Sequence, residues 1–122
     1  MVSTDPGVTS PLAEPSGQLG AVFQALADPT RLAVVHLLSA GPCRAGKLAE
    51  AAHISAPAMS KHLRVLLASG LVTDERQAAD ARLRVFRLRP EPIAALRAWA
   101  DQLQAQWDEQ LASFKRHVEG AG

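Results

Sequence analysis

Ser60, Lys61 and Arg64 share one face of the stretch SAPAMSKHLRVLLAS, residues 55–69. A hydroxyl can bond a phosphate oxygen. A lysine or arginine can neutralise phosphate or bond the O6 and N7 edge of guanine. At 100° per residue, Met59, Leu63 and Leu66 fall on the opposite side of the same helix. Ser55 is a good N-cap, and Pro57 stands in the first turn, where a missing N–H costs nothing. No acid interrupts the polar face, so such a helix can lie in a DNA major groove without repulsion from phosphate.

The surrounding charge supports that chemistry. The net charge of the 122 residues is only +1, but it is unevenly spread. Residues 54–90 hold seven cations against three anions, a net of +4, whereas residues 91–122 hold three cations against five anions. Concentrated positive charge is the electrostatic footprint of a nucleic-acid binder, although a solvated basic surface has the same composition.

Composition narrows the remaining classes. One domain with an appended element is expected from the length. Apolar residues make up 48%, enough for a small core. The apolar runs fall far short of the roughly 20 residues of a membrane span. The opening MVSTDPGVTSPLAEPSG lacks a basic and an apolar signal region, so no signal peptide is expected. A single cysteine, Cys43, gives no intrachain disulfide framework and fits a reducing cytoplasm. No nucleophile elbow, glycine-rich phosphate loop or Cys–His–Asp set is present, so the chain is not expected to be an enzyme.

Five helices and a hairpin would position the polar face. Residues 1–16 are rich in Pro, Ser, Thr and Gly, and read as a disordered tail. Leu19, Val22, Phe23 and Leu26 space a first helix. Asp28-Pro29 caps a second through about Ala40. Residues 44–52 read as a short helix, joined by His53-Ile54 to the helix already described, which Gly70 closes. Two helices so connected match helix-turn-helix spacing. Leu71–Glu75 and Leu83–Leu88 read as a two-stranded wing. From Glu91 to about Glu119 one long helix carries Ile93, Leu96, Ala100, Leu103, Trp107, Leu111, Phe114 and Val118, widened by Trp99. At 1.5 Å per residue it spans about 40 Å, longer than so small a domain can cover. A second copy burying Leu96, Trp99, Leu103, Trp107, Leu111 and Phe114 is the economical solution. The alternative is cover by the first helices of the same chain. The expected fold is therefore mainly α, a winged helix-turn-helix of order α-α-α-α-β-β-α. Residues 17–90 form the DNA-binding unit and residues 91–122 a dimerisation helix.

This order, with particular residues, resembles the ArsR-type (ArsR/SmtB) winged-helix repressors. LADPTRLAVVHLLSAGP is similar to their second-helix signature. ISAPAMSKHLRVLLASGLV is similar to their recognition helix and first wing strand, and VFRLRPEPIAALRAW to the second wing strand and entry to the last helix. The resemblance covers about residues 19–115. It implies a cytoplasmic homodimeric repressor on an inverted-repeat operator of double-stranded DNA, released in many relatives by a small-molecule effector that the sequence does not identify.

The resemblance also places Ser55, Ala56, Ser60, Lys61 and Arg64 against DNA. Ala56 departs from the polar residue many relatives carry: it can meet a thymine methyl but cannot hydrogen-bond a base edge. In the wing, Arg82 and Arg84 are the expected DNA-binding residues, since a hairpin tip can lay arginine into the minor groove. The linker lacks the family's usual tip glycine, and Asp80 would repel phosphate. No metal is expected. Arg44, Gly46 and Ala49 occupy the family's thiolate positions. On the terminal helix Leu103 and Gly120 stand where partners of Asp101, His117 and Glu119 would be needed. No cofactor is implied. Two alternatives remain at this level: a winged-helix protein-interaction module without DNA binding, and a redox- or ligand-gated sensor using Cys43.

Overall fold

The computed structural model describes residues 17–80 and 83–120. The expected tail over residues 1–16 and the wing-tip residue Arg82 lie outside the described residues.

The helices are α1 (Gly17–Leu26), α2 (Pro29–Leu38), α3 (Ala45–Ala52), α4 (Ala56–Ala68) and α5 (Pro90–Gly120). Their starts follow the expected capping chemistry. Asp28 is extended, and its Oδ1 accepts the N–H groups of Thr30 at 2.8 Å and Arg31 at 3.0 Å, satisfying two of α2's orphan donors. Ser55 Oγ accepts the Ala58 N–H at 3.2 Å at the head of α4. Arg44, before α3, makes no side-chain cap. The turn between α3 and α4 is made by His53 in the left-handed region (φ 57°, ψ 42°), with Ile54 N–H donating to the Ala49 carbonyl at 3.1 Å. Gly70, at φ 81°, ends the turn after α4, where a side chain would be strained.

Where a two-stranded wing is expected, the sheet has three antiparallel strands, the last in sequence lying in the middle. Strands β2 (Val72–Arg76) and β3 (Arg84–Leu88) pair from Val72↔Leu88 to Arg76↔Arg84. The third strand, β1 (Cys43–Arg44), pairs Cys43 with Phe86 and Arg44 with Val85. Two residues carry no alternation, so periodicity cannot reveal such a strand.

The core lies between α1–α4 and the base of the wing. Met59, Leu63 and Leu66, the apolar face of α4, are buried together with Val22, Val34, Leu38, Leu48, Leu71, Val72 and Phe86. Each such side chain contributes about 1.5–3 kcal/mol on burial, which fixes the roll of α4 and turns its other face outward. No helix among the described residues is long and apolar enough to cross a membrane.

Candidate nucleic-acid interface

Because Met59, Leu63 and Leu66 point inward, the other side of α4 faces solvent. Ser55, Ala56, Ser60, Lys61 and Arg64 are all exposed. Ser55 is committed through its lone pair to capping, which leaves its O–H to donate. Among the described residues neither Lys61 nor Arg64 is held by an acid. Both cations are thus available to an external anion. His62, between them in sequence, turns inward instead and is only partly exposed.

Arg84 is exposed but engaged. Its Nε donates to Asp74 Oδ2 at 2.7 Å, and its guanidinium carbon lies 5.1 Å from the centre of the Phe86 ring. Arg87 is likewise matched to Glu75 at 3.0 Å. Both pairs are diagonal neighbours across β2 and β3, a relation that needs the register and not just the sequence.

Between α4 and the wing runs an open groove whose walls include Arg44, Lys47, Ser60, Arg64 and Arg76. Arg44 and Lys47 are functional candidates that the sequence reading missed. Arg44 reaches the groove from β1, and its Nη2 donates to Gln77 Oε1 of the wing at 3.3 Å. Lys47 stands exposed in the first turn of α3. A groove with cations from four elements suits a phosphate backbone passing from major to minor groove. Cys43, partly buried, lines the same groove and packs against the core. Among the described residues, no three His, Cys, Asp or Glu side chains gather where they could hold a metal ion.

The expected dimer stripe on α5 divides into two parts. Leu96, Trp99 and Leu103 are half-buried, and Trp99 meets Phe23 of α1 edge-on, with ring centres 5.1 Å apart and planes at 70°. The same chain therefore covers part of this portion. Beyond it, Trp107 is 56% exposed, Leu111 49% and Phe114 66%.

The family model for the arsR family of bacterial regulatory proteins matches residues 28–74, from the α2 cap into β2. The HTH-type transcriptional regulator Rv2034 of Mycobacterium tuberculosis is 40% identical over 100 residues, covering 82% of this chain and 88% of that protein. The chain belongs to the arsR family. The transcriptional repressor SdpR of Bacillus subtilis is similar over a shorter span of this arsR-family chain, 41% over 56 residues, or 46% of this chain and 62% of SdpR. In three dimensions this chain is similar to the homodimeric winged helix-turn-helix DNA-binding domain Mb0332 of Mycobacterium bovis. That likeness has a TM-score of 0.58 at 27% identity and covers 87% of this chain and 93% of that one. The arsR assignment makes the chain a DNA-binding transcriptional regulator and not an enzyme.

Proposed function

We propose that the chain is a homodimeric repressor that binds an inverted-repeat operator, reading it with α4 and steadying itself with the wing. One observation carries the reading: Lys61 and Arg64 stand exposed, without acid partners among the described residues, on the face of α4 opposite its buried side. Ser55, Ala56 and Ser60 extend this face toward the helix start. Arg84 and Arg82 serve the minor groove, and Arg44 and Lys47 the intervening phosphates. Residues 17–90 act as the DNA-binding unit. The stripe from Leu96 to Phe114 joins two copies, the uncovered end of α5 meeting its symmetry mate. Repression is supported by the likeness to SdpR, and dimerisation by the likeness to Mb0332. The same reading places the protein in the cytoplasm and leaves open a small-molecule effector.

The test is titration of the protein's own promoter duplex at several salt concentrations. Lys61→Ala and Arg64→Ala weaken binding, and each flattens the slope of log K against log salt by about 0.9 where a phosphate contact is lost. Unchanged affinity and slope would overturn the reading surface. The acid-matched arginines of the wing favour a second reading, a protein-interaction module. Failure to bind any duplex at low salt, with a defined protein partner bound instead, would replace the first reading by that one.

A further inference from the structure

One polar cluster is not absorbed by the DNA-facing surface, and it joins three helices. Arg31, in the first turn of α2, sends Nε to the Ala25 carbonyl at 2.7 Å and Nη2 to the Gln24 carbonyl at 3.3 Å, both at the end of α1. Its remaining arm, Nη1, meets His62 Nδ1 of α4 at 3.5 Å. Arginine has only donors, so this contact is a hydrogen bond when Nδ1 is the unprotonated nitrogen of the His62 ring. The Asp28 carboxylate stands 3.9 Å from the same nitrogen. It is committed to the N–H groups of Thr30 and Arg31, and so serves as a nearby negative charge beside the junction.

The location gives the cluster its meaning. His62 lies between Lys61 and Arg64, the two cations of the outward face. On the other side, α1 carries Phe23, which packs on Trp99 of α5. The greasy face of α4 fixes its depth and roll in the core, but apolar contacts are non-directional and leave sliding and fine tilt weakly specified. A planar guanidinium with three directed bonds supplies that direction. We propose that Arg31 and His62 are positioning residues, setting the orientation of the reading helix against the α1–α2 platform and through it against α5. The junction touches no DNA itself. It acts by holding Lys61 and Arg64 at the angle at which specific contacts form. The inference rests on the DNA-binding reading above.

The experiment compares the full chain with H62L, H62N and R31K. Asn places an acceptor near the position of Nδ1. Leu fills the space without one, and Lys keeps the charge but lacks the planar fork that reaches three separate acceptors. Each is titrated against a duplex selected from random DNA and against an unrelated duplex, after circular dichroism at 10 °C confirms a folded helical chain. H62L and R31K should lower the ratio of specific to non-specific affinity by about tenfold, with an unchanged salt slope because no phosphate contact is lost. H62N should restore most of the ratio, and the R31K/H62L double variant should lose no more than either single one. Wild-type discrimination in folded H62L, no rescue by H62N, or additive losses in the double variant would each overturn the proposal. Amide hydrogen exchange of α4 is followed without DNA in the same set. H62L should speed it by about tenfold and H62N should not. If the wild-type chain binds no duplex, the DNA-binding reading fails separately. The junction then stands or falls on exchange: faster α4 exchange in H62L supports it and unchanged exchange sinks it.

Discussion

Arg84 and Asp74 are diagonal partners on one face of the β2–β3 ribbon, and Nε of the first donates to Oδ2 of the second at 2.7 Å. Asp74 thereby holds an arginine that, on the proposed reading, would otherwise extend toward phosphate. An exposed pair of this kind contributes little stability, about 0–1 kcal/mol. Its larger effect is on charge. Asp74→Asn should leave the melting temperature nearly unchanged, tighten DNA binding several-fold, and steepen the salt slope by about one contact. A slope identical to wild type would mean that Arg84 does not reach the backbone when released.

The uncovered end of α5 predicts a change of assembly. Trp107 and Phe114 are largely exposed in the single chain, so removing them should not disturb its core. Paired across two copies, they would be among the anchors of the interface. Trp107→Ala with Phe114→Ala should convert a dimer into a monomer in analytical ultracentrifugation, with the circular dichroism of the folded domain retained. A double variant that still sediments as a dimer would move the interface elsewhere on the chain.

Two turn residues should respond in opposite directions. His53 adopts φ 57° in the turn between α3 and α4, a conformation that costs a residue with Cβ but not glycine. His53→Gly should stabilise by about 0.5–1 kcal/mol. At Gly70, φ is 81°, so Gly70→Ala should destabilise by about 1 kcal/mol. Urea unfolding midpoints check both signs at once.

Asp28 predicts a pH dependence. The Arg31 backbone N–H, followed by that of Thr30 and the charges of His62 and Arg31, holds the carboxyl below its usual value of 3.8 against a smaller opposing loss of hydration. A carboxyl with a depressed folded-state pKa stabilises fully above its unfolded pKa, and loses that contribution as pH falls through the folded value. Asp28→Asn keeps the capping oxygen but not the charge. Wild type should therefore be the more stable at neutral pH, and its margin should shrink as the medium is taken below about pH 4. Denaturant titrations across that range measure the margin. A constant one would show that the charge of Asp28 contributes nothing.

The helices were legible because their signals are local. Asp28-Pro29 and Ser55-Ala56-Pro57 announce starts, Gly70 a stop, and Met59, Leu63 and Leu66 repeat at the helical period and are buried as expected. From α4's buried face its exposed one follows at once. What stayed hidden depends on register and chain reversal. Cys43 and Arg44 form a strand only because Phe86 and Val85 come alongside, 43 and 41 residues further on. The matching of Arg84 to Asp74 needs the pairing of β2 with β3. Arg44 and Lys47 enter the groove only once β1 is drawn in. On α5, spacing foretold an apolar stripe, but its division at Trp107 follows from where α1 ends, which periodicity does not encode.

The short pairing of Cys43–Arg44 with Phe86 and Val85 has a mechanical consequence. Helix α3 begins at Ala45, directly after β1, so no residue intervenes to absorb a bend. The wing and the supporting helix are thus joined without a linker, beside the buried Phe86 ring. If the wing follows the minor groove as proposed, a tilt of the hairpin would be passed through β1 to the first turn of α3, which packs against α4.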